Sequence, residues 1–560
     1  MEKISASGVI FEILRAEGVR HIFGNPGSTE TPFLDGLVKY RDLEYVLGLH
    51  ESAVVAMADG YARATGRPSA VSIHAAPGTA NALGSLYNAM RDRTPMVVMA
   101  GQQSQRLLAQ EPPLAGDTVR MTRSVVKWSW ELSNGLELPT ILRRAFSIAR
   151  RPPCGPVFLS LPKDVLEQEI AFSRQSYRVT EDRLIAPAPD EVRKSVELLV
   201  QAKNPVIIAG PGLSTRDAWK PLAEIAERLG APIYANPVGF PGNHPQVCGL
   251  IGWDPPSLKK SVAGADLVLI AGYRMFVNDP LQPLLEPGVS VVHYDDDAAE
   301  IDKNVPAAAG VVGELALSLG RLSEILKDQL KGRENEFATR REKTLSAAAA
   351  VWSQAEASLR ARWEQVPIAP ARVVAALAAA LPENAVIVDE AVRASGYVKQ
   401  HYHRAGPGRY YYYDGGALGW GLGTAVGMQL ALPDRRVVSI LGDGAASFGI
   451  HALWTAARLK LPVLVVVLDN HSYAAVVAAL VDYKGEALKR GVYPGCDVEG
   501  IEFPALAAGF GVQARSVSNP DELEPALRWA LNVKGPSLVH VNVDPFDLGP
   551  GHPGRPRRGL

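Results

Sequence analysis

Two polar residues at the ends of apolar runs carry the clearest chemical signal in the sequence. Asp443 stands between Gly442 and Gly444 at the end of one run, and Asn470 ends a second run 27 residues later. That spacing fits one helix and one strand, so a βαβ unit would bring both side chains to the carboxyl edge of a parallel sheet. Their oxygens suit Mg²⁺, which usually keeps phosphate oxygens as further ligands, and glycines let a phosphate approach the backbone. We therefore predict a magnesium–phosphate site.

A second set of candidate residues lies near the N-terminus. Glu51 falls between apolar stretches, where a carboxylate is costly unless it has a partner. His74 is of the residue type best suited to proton transfer near neutral pH. Taken alone, Glu51 could equally cap a helix or form an ion pair, and His74 could be structural. Both belong to an ordered series of short segments: Phe23–Ser28, Leu49–Ala53, Ala58–Ala62, Ile73–Thr79 and Ala100–Gln103.

The order of these segments resembles the thiamine diphosphate decarboxylase superfamily. The pattern reads FGNPGS, HE, ADGYA, HAAPGT and AGQQ, followed near the C-terminus by GDG and the asparagine. Within the superfamily it is most similar to the benzoylformate decarboxylases, and the likeness extends through Lys127–Ser129, Ala452–Ala457 and Val498–Phe503. The resemblance implies three α/β domains, in the order pyrimidine-binding, central and diphosphate-binding.

The resemblance also implies a thiamine diphosphate and Mg²⁺ site. Asp443, Asn470 and the carbonyl oxygen of Ser472 would hold the metal on the diphosphate. Glu51 would hydrogen-bond N1′ of the aminopyrimidine ring and so favour the imino tautomer that removes the proton from thiazolium C2. The further cofactor contacts would be the Gly416 carbonyl, Leu418 as the apolar residue that bends the cofactor, Gly442, Gly444, Ala445 and Tyr473.

The substrate side of the site follows from the same resemblance. Ser28 and His74 would face the substrate, with His74 as the proton-transfer group. The implied reaction is decarboxylation of a 2-oxo acid to CO₂ and an aldehyde, with carboligation as a side activity. Because the family builds each site from two subunits, we expect a homodimer at minimum and a homotetramer commonly. The pocket would be shaped by Asn25, Pro26, Gly27, Pro113, Leu114, Tyr412, Tyr413 and Val476.

The sequence departs from the family pattern at two places. Benzoylformate decarboxylases have a second catalytic histidine in the central domain, whereas the matching stretch here, Gly272–Pro280, contains none. Val392 and Arg393 stand where hydroxyl side chains are expected near the diphosphate. These departures leave open a carboligase or lyase of the same cofactor class, such as an acetolactate synthase-like enzyme or a 2-hydroxyacyl-CoA lyase. A non-catalytic relative is a third alternative, which the joint presence of Glu51, Asp443 and Asn470 argues against.

Short apolar runs alternate with helical stretches along the chain. Near-continuous apolar strands of this kind are typical of parallel sheets buried on both faces. We therefore expect an α/β fold with three doubly wound parallel-sheet domains. The predicted strands include Ala70–Ile73, Met96–Met99, Val157–Leu159, Val206–Ile208, Leu267–Ile270, Val291–Val292, Val386–Val388, Val437–Ile440, Leu464–Val467 and Leu538–Val541.

Shifts in composition predict the domain boundaries. Residues near 175–190 are polar, and residues 321–365 are helical, alanine-rich and charged without a strand signal. The glycines of Ala209–Gly212, which follow a strand, are a weak indication of a nucleotide such as FAD. The expected divisions are a pyrimidine-binding domain at 1–180, a central domain at 185–340, a helical linker at 341–365, a diphosphate- and Mg²⁺-binding domain at 366–548 and a basic Pro/Gly tail at 549–560.

Composition narrows the expected binding partners of the protein and its expected location in the cell. The 560 residues include 58 basic and 59 acidic side chains, a net charge of −1, which gives no indication of a nucleic-acid or anionic-membrane partner. Three scattered cysteines, Cys154, Cys248 and Cys496, indicate neither a disulfide framework nor a zinc site. The N-terminus lacks the apolar core of a signal peptide, and the apolar runs are too short for a membrane helix. We expect a cytoplasmic enzyme with a small-molecule substrate.

Overall fold

The computed structural model describes residues 2–174, 177–179, 184–251, 255–274, 281, 283–402, 406–552 and 554. The chain divides into two compact units, and the first contains the N-terminal and C-terminal sheets. This unit comprises Met1–Asp182, Val366–Ser395 and Tyr412–Leu560, and the second comprises Arg183–Gln365 and Gly396–Tyr411. The strand pairs of the three large sheets run parallel, which confirms the predicted α/β class with three doubly wound sheets.

The N-terminal sheet has the strand order β3-β2-β4-β5-β7-β6, and β1 pairs antiparallel with β8 beside it. Every residue of β4 and β5 is buried, as their near-continuous apolar sequences predict. The strands are β1 (Glu2–Ser5), β2 (His21–Gly24), β3 (Glu44–Leu47), β4 (Ser69–Ile73), β5 (Met96–Gln102), β6 (Trp128–Glu131), β7 (Pro156–Pro162) and β8 (Glu169–Phe172). The helices are α1 (Ala6–Ala16), α2 (Thr31–Leu37), α3 (Glu51–Thr65), α4 (Ala75–Arg91), α5 (Gln105–Leu108), α6 (Thr118–Thr122), α7 (Leu138–Arg150) and α8 (Lys163–Leu166).

The central sheet, in the second unit, has the strand order β11-β10-β9-β12-β13-β14. Its strands are β9 (Pro205–Ala209), β10 (Ile233–Ala235), β11 (Val247–Leu250), β12 (Leu267–Ala271), β13 (Ser290–Asp295) and β14 (Ala309–Val312). Its helices are α9 (Pro189–Gln201), α10 (Trp219–Leu229), α11 (Pro255–Ser261), α12 (Leu315–Gln329) and α13 (Ala338–Arg360).

Two sequence features of the second unit have packing explanations. A Cβ atom at Gly210 would collide with the backbone of Gly272, so this glycine allows two loops to meet at the carboxyl edge of the central sheet. Helix α13 covers most of the predicted linker and packs on the central domain: Trp352 Nε1 donates to the Val247 carbonyl at 3.1 Å, and Thr344 Oγ1 donates to the Gly230 carbonyl at 2.8 Å.

The C-terminal sheet contains the strand order β15-β17-β18-β20-β19. These strands are β15 (Val386–Glu390), β17 (Val437–Gly442), β18 (Leu464–Asp469), β19 (Gln513–Val517) and β20 (Ser537–Asn542), while β16 (Tyr410–Tyr411) lies in the range of the second unit. The helices of this part of the chain are α14 (Pro370–Ala380), α15 (Ser395–Tyr402), α16 (Trp420–Ala431), α17 (Asp443–Gly449), α18 (Ala452–Arg458), α19 (Ala474–Tyr483), α20 (Glu486–Arg490), α21 (Phe503–Gly509) and α22 (Pro520–Asn532).

Helices α3 and α16 cross with their backbones in close contact within the first unit. A Cβ at Gly60 would collide with the carbonyl of Thr424, so glycine is required at this crossing. The Trp420 indole Nε1 donates to Oδ2 of the buried Asp59 carboxylate at 2.6 Å, which pairs the indole N–H inside the contact. The crossing ties the N-terminal sheet to the C-terminal sheet. Within the described residues, the helices are all too short or too polar to cross a bilayer.

Candidate active site

The predicted metal ligands meet at the carboxyl edge of the C-terminal sheet. Strands β17 and β18 are neighbours, and Asp443 and Asn470 follow their last residues directly. The backbone N–H of Ser472 lies 3.0 Å from Oδ2 of Asp443 and 3.0 Å from Oδ1 of Asn470. The structure therefore brings these three residues together, as the spacing of the two strand ends predicts.

The charge at this edge fits a divalent cation. The Asp443 side chain is 3% exposed, and Oδ1 accepts from the Gly444 amide at 2.8 Å. Burial and the hydrogen-bonded carboxyl of Asp469 raise the pKa of Asp443 to about 7. Burial acts in the same direction on Asp469, but hydrogen bonds from His540 and Asp443 hold its pKa below the ordinary value. Two facing carboxyls resist joint ionisation, and a cation at Asp443 would offset that repulsion.

One of the two glycines beside Asp443 makes room for a neighbouring side chain. Gly442 caps the start of α17, and a Cβ at Gly444 would collide with the ring of Tyr473. Ala445 is buried in the first turn of α17. The turn that carries Asn470 and Ser472 is strained, because His471 between them has a φ of +58°. Strain of this kind in a non-glycine residue is concentrated at functional sites.

Glu51 has the partners that its buried position requires. It is the first residue of α3 and is 5% exposed. The amide Nδ2 of Asn25 donates to Oε1 at 3.1 Å, and Nδ2 of Asn81 donates to Oε2 at 3.0 Å. A Cβ at Gly78 would come within 2.8 Å of Oε1, so the glycine leaves space for the carboxylate. The two amides fix the position of the carboxylate, and each of its oxygens keeps a lone pair for a ligand.

His74 stands at the N-terminus of α4, held by a buried acid. Its Nδ1 lies 2.9 Å from Oε2 of Glu30 and 3.1 Å from Oγ1 of Thr29. Oε2 of Glu30 also accepts from the Gly27 amide at 2.8 Å, and a Cβ at Gly27 would collide with the imidazole ring. With Nδ1 bonded to Glu30, Nε2 is the ring nitrogen available for proton transfer. The loop that carries Gly27 is therefore fitted to the histidine.

The other predicted substrate-side residues differ in exposure. Pro26, Ser28, Pro113 and Val476 are exposed. Leu114 has a φ of +72°, and its carbonyl accepts from the Ala76 amide at 3.3 Å, so its loop is tied to the start of α4 beside His74. Tyr413 is only 4% exposed and stacks on Trp420 with 5.1 Å between ring centroids. Its neighbour Tyr412 packs against it, with 5.2 Å between the ring centroids.

Gly416 and Leu418 lie in the segment that leads into α16. Gly416 has a φ of +81° and Gly419 has a φ of +90°, so left-handed glycines bracket Ala417 and Leu418. The carboxylate of Glu390 receives the amides of Gly419 at 2.9 Å, Trp420 at 3.2 Å and Gly421 at 2.8 Å. Burial raises the pKa of Glu390 to about 8, although these three amides act to lower it. Glu390 thus fixes the start of the helix that follows the predicted cofactor segment.

The two departures from the family pattern have different outcomes. Val392 has a φ of +52°, and Nε of Arg393 donates to the Leu548 carbonyl at 2.5 Å. Arg393 therefore holds the C-terminal segment, and Leu548 is buried against Ala474 and Val477 of α19. Met275–Pro280, most of the stretch that lacks the family histidine, lies outside the described residues, as do 553 and 555–560 of the predicted tail.

Four polar residues beside the predicted set were missed by the sequence reasoning. Glu30, Asn88 and Glu390 are buried, whereas Asn81 is exposed although its side chain donates to Glu51. The signal for two of them was present, because Asn81 and Asn88 are seven residues apart in α4 and so share one face of the helix. Asparagine is unfavourable inside helices unless its amide has a partner.

Comparisons with known proteins identify the family of the chain. Residues 4–121 match the N-terminal TPP binding domain of thiamine pyrophosphate enzymes, residues 192–322 the central domain and residues 391–541 the C-terminal TPP binding domain. The chain is 34% identical to benzoylformate decarboxylase of Pseudomonas aeruginosa, over 95% of this chain and 97% of the relative. It is 28% identical to the acetolactate synthase large subunit of Haemophilus influenzae, over 97% of this chain and 95% of that relative.

A solved structure is similar over the whole length. The thiamine diphosphate-dependent 4-hydroxybenzoylformate decarboxylase of Rhodococcus jostii RHA1 superposes with a TM-score of 0.83 at 32% identity, covering 98% of this chain and 100% of that one. The chain therefore belongs to the thiamine pyrophosphate (thiamine diphosphate) enzyme family. Its relatives there include enzymes named benzoylformate decarboxylase and acetolactate synthase.

Proposed function

We propose that this enzyme is a Mg²⁺-dependent 2-oxo acid decarboxylase that acts on benzoylformate-like substrates, releases CO₂ and an aldehyde, and has carboligation as a side activity. The observation that carries the proposal is the pair of buried Glu30 and partly exposed His74, with 2.9 Å between Oε2 and Nδ1. It places an oriented acid–base group at the start of α4, the helix whose Asn81 holds Glu51. The names of the similar decarboxylases support the substrate class.

Each predicted residue has a physical role in this reaction. Bound thiamine diphosphate supplies the electron sink next to the substrate carbonyl. Asp443, Asn470 and the Ser472 carbonyl would hold Mg²⁺ on the diphosphate. Glu51 would hold a proton at N1′ of the aminopyrimidine, and Nε2 of His74 would move protons to and from the substrate. Such a positioned acid–base group contributes about 10²–10⁴-fold to a rate.

A second candidate is a carboligase or lyase of the same cofactor class. The absence of histidine from Gly272–Pro280 favours it, because a decarboxylase of this family would use one there. The similarity to acetolactate synthase supports the same class. As a lyase, this candidate predicts that acyloins or 2-hydroxyacyl-CoAs are better substrates than 2-oxo acids. As a carboligase, it predicts that a 2-oxo acid releases CO₂ without an equal amount of free aldehyde.

A substrate panel distinguishes the two candidates. The enzyme with thiamine diphosphate and Mg²⁺ is supplied with benzoylformate, pyruvate, benzoin or a 2-hydroxyacyl-CoA, while CO₂ and aldehyde are measured. We expect benzoylformate to give CO₂ and benzaldehyde in equal amounts, with the highest kcat/KM of the four. Carbon–carbon bond cleavage in the 2-hydroxyacyl-CoA or in the acyloin, without CO₂ release from any 2-oxo acid, would favour the lyase instead. The Asp443→Ala variant provides the background rate.

We further propose that each complete site combines Glu51 of one subunit with Asp443 of another, in a homodimer or a homotetramer. The test is coexpression of Glu51→Gln and Asp443→Ala chains with different affinity tags. In a shared-site dimer, the mixed pair contains one site with both residues intact, so the doubly purified protein should regain about half of the wild-type activity, as one of its two sites is unaltered. Activity no higher than that of the single variants would contradict shared sites.

A further inference from the structure

One side chain of helix α4 hydrogen-bonds both polar backbone groups of Ala417. Asn88 is fully buried, its Oδ1 accepts from the Ala417 amide at 3.0 Å, and its Nδ2 donates to the Ala417 carbonyl at 2.8 Å. One amide side chain thus satisfies both backbone groups of one residue, as a neighbouring strand would. Asn88 and Ala417 are 329 residues apart in sequence, so this contact is made by the tertiary fold.

The surrounding residues are fitted to this contact. A Cβ at Gly415 would collide with Oδ1 of Asn88, so the glycine gives the asparagine access to the segment. Four residues beyond Asn88, Oδ1 of Asp92, the residue that follows the last residue of α4, accepts from the Asp414 amide at 2.7 Å. Helix α4 therefore holds the segment at Asp414 and at Ala417, while Glu390 holds its other end at Gly419–Gly421.

The contact fixes two peptide planes. The amide N–H of Ala417 belongs to the same planar unit as the Gly416 carbonyl, and the Ala417 carbonyl belongs to the same unit as the Leu418 N–H. When Asn88 fixes both groups of Ala417, the trans peptide geometry aims the Gly416 carbonyl away from Asn88. The same contact holds the peptide unit that leads into Leu418, so the backbone position from which the Leu418 side chain extends is fixed as well.

From this geometry we infer that Asn88 is a positioning residue, which acts through Ala417 to orient the Gly416 carbonyl and the Leu418 side chain toward bound thiamine diphosphate. The inference rests on the proposed function, in which those two groups contact the aminopyrimidine. Displacing a positioning group by about 1 Å can lower a rate about 10²-fold. Asn88 would therefore act on how fast the C2 proton is removed, in addition to how tightly the cofactor is held.

The experiment compares three variants. Asn88→Ala removes both bonds, and Asn88→Asp keeps an acceptor for the Ala417 amide but sets a second oxygen against the Ala417 carbonyl. Gln429→Ala is the matched control, because the buried Gln429 side chain also hydrogen-bonds backbone groups. Its Nε2 donates to the carbonyls of Leu432 at 3.0 Å and Arg435 at 2.8 Å, and its Oε1 accepts from the Val437 amide at 3.0 Å. Those contacts precede β17, at the end of the sheet opposite Asp443.

Three measurements are made on each protein. Hydrogen–deuterium exchange of the cofactor-free protein, read by mass spectrometry, reports protection of the Ala417 amide, and the Gly421 amide, which is bonded to Glu390, serves as internal reference. Calorimetry gives the affinity for thiamine diphosphate with Mg²⁺. Quenched-flow NMR gives the rate of C2 proton exchange at saturating cofactor.

We expect Asn88→Ala to lose protection at the Ala417 amide and to slow C2 exchange about 10²-fold, the cost of a displaced positioning group. Asn88→Asp should fall between this variant and wild type. Gln429→Ala should match wild type in amide protection and in C2 exchange. Wild-type C2 exchange in Asn88→Ala, with or without altered protection, would overturn the inference. If Asn88→Ala does not fold, Asn88→Asp decides by the same criteria. If wild type itself binds no thiamine diphosphate, the proposed function fails. Unchanged protection in Asn88→Ala separately refutes the role of Asn88 in holding the Ala417 backbone.

Discussion

Oε2 of Glu30 lies 2.9 Å from Nδ1 of His74, so the histidine at the start of α4 is oriented by a buried carboxylate. Glu30 is 3% exposed, and its other oxygen accepts from Oγ1 of Thr29 at 2.7 Å. A carboxylate that is hydrogen-bonded to one ring nitrogen sets the tautomer and the ring direction of a histidine. The Thr29–Glu30–His74 arrangement therefore leaves Nε2 as the ring nitrogen available for the proposed proton transfer.

If His74 transfers protons, His74→Ala should lower kcat about 10²–10⁴-fold, the range for a positioned acid–base group. Cofactor affinity should be unchanged, because no predicted cofactor contact is removed. Glu30→Gln should lower kcat by a smaller factor, and in the double variant it should have no additional effect, since its role is to orient His74. Steady-state kinetics and calorimetry measure these quantities. A further loss of kcat when Glu30→Gln is added to His74→Ala would show that Glu30 acts independently.

Asp443→Ala should abolish cofactor retention. The diphosphate is anionic, and the variant removes the carboxylate that would hold Mg²⁺ against it. Calorimetry with thiamine diphosphate and Mg²⁺ should show near-total loss of binding. The control is Asp295→Ala, because Asp295 is also buried at a strand end and accepts from the Asp297 amide at 2.9 Å. Equal affinity in Asp443→Ala and the control would refute the metal assignment.

Glu51→Gln should keep the cofactor and lose most of the activity. The amide has the shape of the carboxylate and still reaches N1′, although its NH₂ group then faces the Nδ2 donor of Asn25 or Asn81. It cannot stabilise a proton at N1′ as a carboxylate does. Exchange of the C2 proton should slow by orders of magnitude while the dissociation constant changes little. Wild-type exchange in Glu51→Gln would remove Glu51 from the mechanism.

The sequence predicted the interior of the sheets better than their edges. Each of the ten runs named as strands lies within an observed strand, because central parallel strands are buried on both faces and must be apolar. The interior strands β2 and β10 were not among those runs, and neither were the edge strands of the three large sheets, β6 and β19 among them. Trp128–Glu131 and Gln513–Val517 are partly exposed, so their polar residues weaken the pattern that identifies a strand.

The same limit applies to the candidate site. The meeting of Asp443 and Asn470 follows from two adjacent strand ends, and local spacing is enough to predict it. The residues that hold the site, such as Asn88 and Glu390, bond to backbone groups that only the tertiary fold brings near. Asn88 meets Ala417 329 residues away, and no local pattern encodes that contact.

Glu390 should make the stability of the fold depend on pH. Burial raises its pKa from the ordinary value of 4.5 to about 8. Between these values the folded state holds a proton that the unfolded state has released, so stability is fully present below 4.5 and is lost as the pH rises through 8. Glu390→Gln has no such group. In cofactor-free protein heated at a fixed rate, the unfolding temperature of wild type minus that of Glu390→Gln should fall from pH 5 to about pH 8 and then level off. A difference that is constant with pH, or that grows as the pH rises, would contradict a protonated Glu390 at the start of α16.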